Sequence, residues 1–410
     1  MKHLLNPHLL QFLPDEPGVP DTFAPEALVS PRRFGLTFKH IYAQHFLLRG
    51  KSAYPERQYR EHIQCITHGA CKEDDGSKTS LDDYVAAFNA LLVSMHDHGF
   101  TQWHPVPVDA LNTPLDGAHR TAAALALNLP VPVVRFSHEG PAYTSAVYSG
   151  MDCARAAVEY CKLRPSARIM VLFGENTRWS VAPVYMTEFE LPSVVAQDNL
   201  ITELYLGEEW LGDSATGFRG AAPKARPCFA RGCKVRVLLV DMPQADVIRA
   251  KEAMRAGSVR DCVHATDTQS ETIRVARVLF SATSRAFLAR PHKHMPGLHR
   301  LLNNYQAAIS GLDQDLLCID GSAVMARYGL REPADLDFVH AITVPTSASV
   351  SSHNEYSALY PFDKDELIWN PVDHFWSHGF KYATLDRVRQ AKTAIVDEKN
   401  KRDLGLMEGL

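Results

Sequence analysis

The sequence predicts an α/β and α+β protein of three domains, each a small sheet packed with helices, over residues 1–165, 166–295 and 296–410. Three observations lead there. The chain has 410 residues, more than one core of roughly 150 residues fills. Short apolar runs alternate with helical stretches along its whole length. Its composition, 46% hydrophobic and 22% charged, is that of ordinary globular protein.

Forty-three basic against forty-seven acidic residues give a net charge of −4, so no overall basic field attracts nucleic acid or anionic lipid. No apolar stretch reaches the eighteen or so residues of a membrane helix, and the opening MKHLLNPHLLQFLPDEPGVP is too interrupted for a signal-peptide core. A cytoplasmic protein with no membrane span is expected. Its eight scattered cysteines, without a C-x-x-C pair, fit a reducing compartment. Cys228 and Cys233 flank a short turn but lack the second pair of a zinc site.

In the first segment a Pro-rich lead-in precedes LDDYVAAFNALLVSMHDHGF, which sets Tyr84, Phe88, Leu91, Leu92 and Met95 on one helical stripe that Gly99 ends. WHPVPVDALNTPLDGAHRTAAALALNLPVPVVRF then reads as strand, turn, helix, strand, and MDCARAAVEYCKLRPSA as an amphipathic helix. The second segment offers the strands ARIMVLF, KVRVLLVDM and CVHATDT with the helices QADVIRAKEAMRAG and SETIRVARVLFSAT. The third has the helix LHRLLNNYQAAIS, the strand DLLCID, the helix AVMARYG, the strand DLDFVHAITV and a closing helix LDRVRQAKTAIVDEKNKRDLGLM.

Chemistry is expected at three places. Asp116-Gly117-Ala118-His119-Arg120 stands between a strand and a helix start, where free backbone N–H groups, a glycine and a guanidinium suit a phosphate. An Asp cap with a hydrogen-bonded His and an Arg ion pair accounts for the same residues. LDGAHRTAAAL resembles the D-G-x-H-R turn of the ParB and sulfiredoxin superfamily over about residues 60–140. That likeness implies nucleotide phosphates at Gly117, His119 and Arg120, with Glu73-Asp74-Asp75 as a metal or base candidate.

The second place is Arg255, then His264, Thr266 and Asp267 before a helix. A His at a strand end, oriented through one ring nitrogen, can carry a phosphoryl group, and a helix cap at Thr266 or Asp267 beside a bystander His is the other reading. IRAKEAMRAGSVRDCVHATDTQSETIRVARVLF resembles the active-site end of nucleoside diphosphate kinases. The resemblance implies His264 as nucleophile, Arg255 as phosphate ligand, Tyr205 in the pocket and a ferredoxin-like fold for 166–295. It departs from that family in Asp261 and in lacking the Lys-Pro-Asp of the first strand, for which Lys224 or Arg226 is the available substitute.

The third place is Gly321-Ser322 after a strand, followed by Asp335 and Asp337 on one face of the next strand. Two carboxylates beside a Gly-Ser turn suit Mg²⁺ on a nucleoside triphosphate. CIDGSAVMARYGLREPADLDF resembles the nucleotidyltransferase superfamily, whose usual third acid is sought among Glu355, Asp363, Asp365 and Glu366. His353, His374 and His378 are read as packing or surface residues, and Trp103, Trp210 and Trp376 as core or rim.

The agreement of the three segments leads to a nucleotide-dependent phosphotransferase, a kinase acting on a small hydroxylated acceptor such as a sugar or amino acid, with Mg²⁺ and ATP or another NTP. The domain combination resembles proteins associated with bacterial surface-polysaccharide enzymes. Nucleotidyl transfer at the C-terminal site is the alternative, and a ParB-like DNA-binding regulator or a nucleotide-binding scaffold are further ones. The absence of a Lys/Arg run makes nucleic acid an unexpected partner. A homo-oligomer stays open.

Overall fold

The computed structural model describes residues 10, 13, 15, 18–73, 75–100, 104–175, 179–208, 211, 220–256, 260–291, 293, 295–395 and 397–409. Asp74, Trp103 and Trp210 lie outside them. The protein is mixed α/β, with small sheets of three, four and five strands packed with helices. It divides into two compact units: residues 1–49, 55–167 and 183–185 form the first, and residues 50–54, 168–182 and 186–410 the second. Among the described residues no helix is long and apolar enough to cross a membrane.

The first unit holds a three-stranded sheet in which β3 (Val131–Arg135) is central, antiparallel to β1 (Val19–Phe23) and parallel to β2 (Val106–Val108). Helices α1 (Leu36–Leu47), α2 (Tyr54–Ile66), α3 (Leu81–His98), α4 (Ala118–Leu127) and α5 (Ala154–Leu163) belong with it. In α3 the expected stripe is real: Tyr84, Phe88, Leu92 and Met95 are buried, with Leu91 at its edge. Ser80 caps its start and Gly99, at φ 71°, ends it. The lead-in expected only as Pro-rich chain carries β1, α1 and α2. Helix α1 has apolar residues all round and nine of its twelve are buried, so it shows no amphipathic period to read.

The second unit contains a sheet of order β5-β6-β4-β7 and another of order β10-β9-β8-β12-β11. In the first, β4 (Ala167–Phe173) and β6 (Lys234–Asp241) are the buried central strands, β5 (Tyr185–Glu190) and β7 (Val263–Ala265) the edges. In the second, β8 (Leu317–Asp320) lies between β9 (Leu336–His340) and β12 (Phe380–Ala383), with β10 (Val350–Ser352) and β11 (His374–Ser377) outside. The expected closing helix is two, Leu385–Ala394 and Glu398–Met407. Ile395 is extended, Asp397 caps the second helix through the Asn400 N–H, and Asn400 Nδ2 donates to the Ile395 carbonyl at 2.8 Å. An Asp with its side chain on a backbone N–H three residues on starts a new helix even inside an apolar period.

Candidate functional site

The Asp116–Arg120 turn joins β2 to α4. Gly117 stands at φ 75°, a backbone that favours glycine, and a Cβ there would crowd Val106 Cγ2 and Arg120 Nη2 at 3.0 Å. Gly117, not Asp116, is the helix cap residue. His119 is buried with its Nε2 2.8 Å from the Tyr59 hydroxyl and its ring edge on Phe88. Burial, with Lys39 and Lys78 nearby, holds His119 well below its ordinary pKa, so it is a neutral imidazole. Arg120 donates to the His104 carbonyl and reaches Asp116 at 3.4 Å.

This turn opens onto a cavity of about 650 Å³ inside the first unit. The walls include Arg33, Lys39, Lys78 and Arg120, against the carboxylates Glu73 and Asp116. Lys39, on α1, is 3% exposed, and its Nζ donates to Nε2 of the buried His62 on α2. Burial pulls the Lys39 amine down to about 7, reinforced by Arg33, and keeps His62 well below its ordinary value. Gly35, which precedes α1, lets the Tyr148 hydroxyl and the His62 ring close in, where a Cβ would collide with both. Sequence reasoning missed Arg33, Lys39 and His62 because they lie on elements with no motif. A lysine in the middle of an apolar helix was the available signal.

The middle constellation is also assembled. His264 in β7 pairs with Val171 of β4 and is buried; its ring edge meets Tyr205 at 4.9 Å and its Nε2 lies 3.4 Å from Glu271 Oε1. Arg255 Nη2 donates to the Val263 carbonyl, and Lys224 pairs with Asp261. Thr266 points inward, accepting from the Ile169 N–H and sharing a hydrogen bond with Thr272. Asp267 accepts from Gln244. The helix Gln269–Leu279 is capped by Thr268, one or two residues beyond the expected caps, and Glu271 reaches back to the Asp267 N–H.

In the C-terminal site the β8/β9 register sets Asp320 opposite Asp337, and β10 sets Ser351 beside Asp337. Gly321 and Ser322 begin the helix Gly321–Arg327, directly after Asp320, and Asp335 immediately precedes β9. Asp335 Oδ1 is buried without a hydrogen-bond partner among the described residues. His353, read as a packing or surface residue, sits with Nε2 3.2 Å from Asp337 Oδ2 and Nδ1 3.7 Å from Asp320 Oδ2. Burial works against ionisation of Asp320, but His353 and the Tyr360 hydroxyl outweigh it and hold that carboxyl low. Burial raises Asp337. Burial disfavours the His353 cation too, yet the carboxylates prevail and raise its pKa. Among the described residues no group of three or more His, Cys, Asp or Glu side chains converges as a metal site.

The acids sought as a third ligand do other work. Asp363 caps the helix Lys364–Trp369, Asp365 accepts from the Lys51 N–H at 2.8 Å, and Glu366 accepts from the Ala53 N–H. His374 Nδ1 contacts the Leu367 carbonyl, the His378 backbone N–H donates to the Glu203 carboxylate, and Trp376 is buried. Cys228 is buried and Cys233 half-buried, both free thiols. Against protein-family models, curated proteins and solved structures the chain shows no significant match.

Proposed function

We propose that the chain is a nucleotide-dependent phosphotransferase moving a phosphoryl group from ATP or another nucleoside triphosphate to a small hydroxylated acceptor such as a sugar or amino acid. The observation that supports it is the cavity of about 650 Å³ joining the Asp116–Arg120 turn to Arg33, Lys39 and Lys78. Phosphoryl transfer relies on positioning and on fixed positive charge around the phosphates, and these walls offer both. Mg²⁺ would supply the remaining charge on a triphosphate.

The test is incubation of the full chain with Mg²⁺, an acceptor panel and ATP labelled at the γ- or the α-phosphate. We expect γ-label on the acceptor, reduced at least tenfold by Gly117→Val. An acid-labile phosphoprotein lost in His264→Ala would route transfer through the middle site. Absence of γ-label transfer to any acceptor would sink the reading.

Nucleotidyl transfer is the second reading, favoured by the pairing of Asp320 with Asp337 directly ahead of Gly321-Ser322. The oxygen donors Asp335 and Asp337 suit Mg²⁺ chemically. In that case α-label moves instead and is lost in Asp335→Ala.

A further inference from the structure

The carboxylates of the first unit's cavity are already committed. Glu73 pairs with Lys78 at 3.2 Å and Asp116 with Arg120 at 3.4 Å. Two basic side chains, the half-buried Arg33 and the buried Lys39, are left without an ion pair among the described residues. Arg33 donates to the Pro114 and Leu115 carbonyls and lies 4.7 Å over the Tyr143 ring, and Asp116 and Asp109 act on it only from beyond ion-pair distance. Lys39 has three donors, one of them on His62 Nε2, and among the described residues no carboxylate is within ion-pair distance of it. His62 is 1% exposed, and among the described residues its Nδ1 has no hydrogen-bond partner. Since Nε2 accepts from Lys39, Nδ1 carries the proton of the neutral ring.

Burying a cation without a counter-charge is costly, so a buried amine gives up its proton or a ligand supplies that charge. We propose that Lys39, backed by His62 and the charge of Arg33, forms a subsite for a dianionic phosphoryl group, a phosphate monoester or the terminal phosphate of a nucleotide. Two positive positions without an ion pair match two negative charges, whereas a monoanionic carboxylate answers one. The neutral His119 adds no competing charge from the neighbouring wall. With its amine pulled down to about 7 by burial, Lys39 is largely unprotonated at pH 8 while the cavity is empty, and a dianion restores its proton. Occupation of the subsite therefore takes up close to one proton at that pH. The inference shares its cavity with the phosphotransferase reading but requires no transfer reaction.

The experiment is calorimetric titration of the full chain at pH 8 with inorganic phosphate, glycerol 3-phosphate, acetate and ATP, in two buffers of different ionisation enthalpy. At least one phosphate compound should bind with uptake of about one proton, and acetate should not compete. Lys39→Met should bind it at least tenfold more weakly without proton uptake, while melting no lower than wild type in the absence of anion, because a buried unpaired amine has been removed. Lys39→Arg, which keeps its proton, should bind without uptake, and serves if Lys39→Met does not fold. Saturation by ATP alone assigns the subsite to a nucleotide's terminal phosphate, and saturation by glycerol 3-phosphate as well assigns it to monoesters; either supports the proposal. Failure of every phosphate compound to bind, or wild-type binding by Lys39→Met, overturns it. Anion binding with no label transfer would leave this subsite standing and remove the phosphotransferase reading.

Discussion

Single residues in this protein carry charge in places where sequence alone suggests solvent. Asp403, on the second of the two closing helices, is 3% exposed, accepts two hydrogen bonds from Arg331, at 2.7 and 2.9 Å, and forms an ion pair with Lys392 at 2.7 Å. Burial opposes its charge, but the two cations outweigh that and hold its carboxyl below the ordinary range. Such a group contributes stability above the unfolded carboxylate pKa near 3.9 and loses it as pH falls through the lower folded value. Removing it leaves two cations facing an emptied position. Asp403→Ala is therefore expected to cost about 3 kcal/mol at pH 7, read as a lower denaturation midpoint in urea. A loss under about 0.5 kcal/mol, typical of a surface pair, would contradict the assignment. The apolar spacing of the closing stretch argues that it packs, but the partners Arg331 and Lys392 are set by folding.

At the scale of elements, the local rules of capping and register decide where side chains go. Thr268 and Glu271 satisfy two backbone donors at the start of the helix Gln269–Leu279. Thr268→Ala should cost about 1 kcal/mol, measured by thermal melting, and an unchanged melting temperature would show the cap to be idle. The same cap explains why Thr266 and Asp267 are turned to other tasks. Elements with strong periods, such as α3, β4 and β6, are legible in the sequence, since burial on one face or both imposes the pattern. The strands β10, β11 and β12 are only three or four residues each, too short for a period to emerge. The β8/β9 register, which sets Asp320 beside Asp337, is likewise invisible without the pairing.

Across the whole molecule, the histidines give pH dependence a direction. His62 and His119 are buried and held well below their ordinary pKa, as is His378, pulled down to about 3 by burial with Arg327 and Arg274. On acidification through about 6.5 the unfolded chain binds protons that the folded chain does not, so stability falls by up to about 1.4 kcal/mol per pH unit for each such group. His353 acts oppositely: with its pKa raised, its contribution is full below about 6.5 and is lost as pH rises through its folded value. His340 is lowered by burial as well, so four depressed groups outweigh one raised group and the melting temperature should fall between pH 7 and pH 5. His119→Gln should flatten that slope, and an equal slope in the variant would show that His119 is not the neutral buried imidazole described.

The sequence by itself determined the mixed α/β class, the buried strands and the helix of the Asp116–Arg120 unit. Those follow from periodicity, turn chemistry and the φ freedom of glycine, which act over neighbouring residues. Only the tertiary structure decided that Lys39 and His62 meet beside that turn, that His353 lies between Asp320 and Asp337, and that Asp403 joins Arg331 to Lys392. Each of these joins residues far apart in the chain, and the burial that shifts their charge states exists only once the helices and sheets are packed.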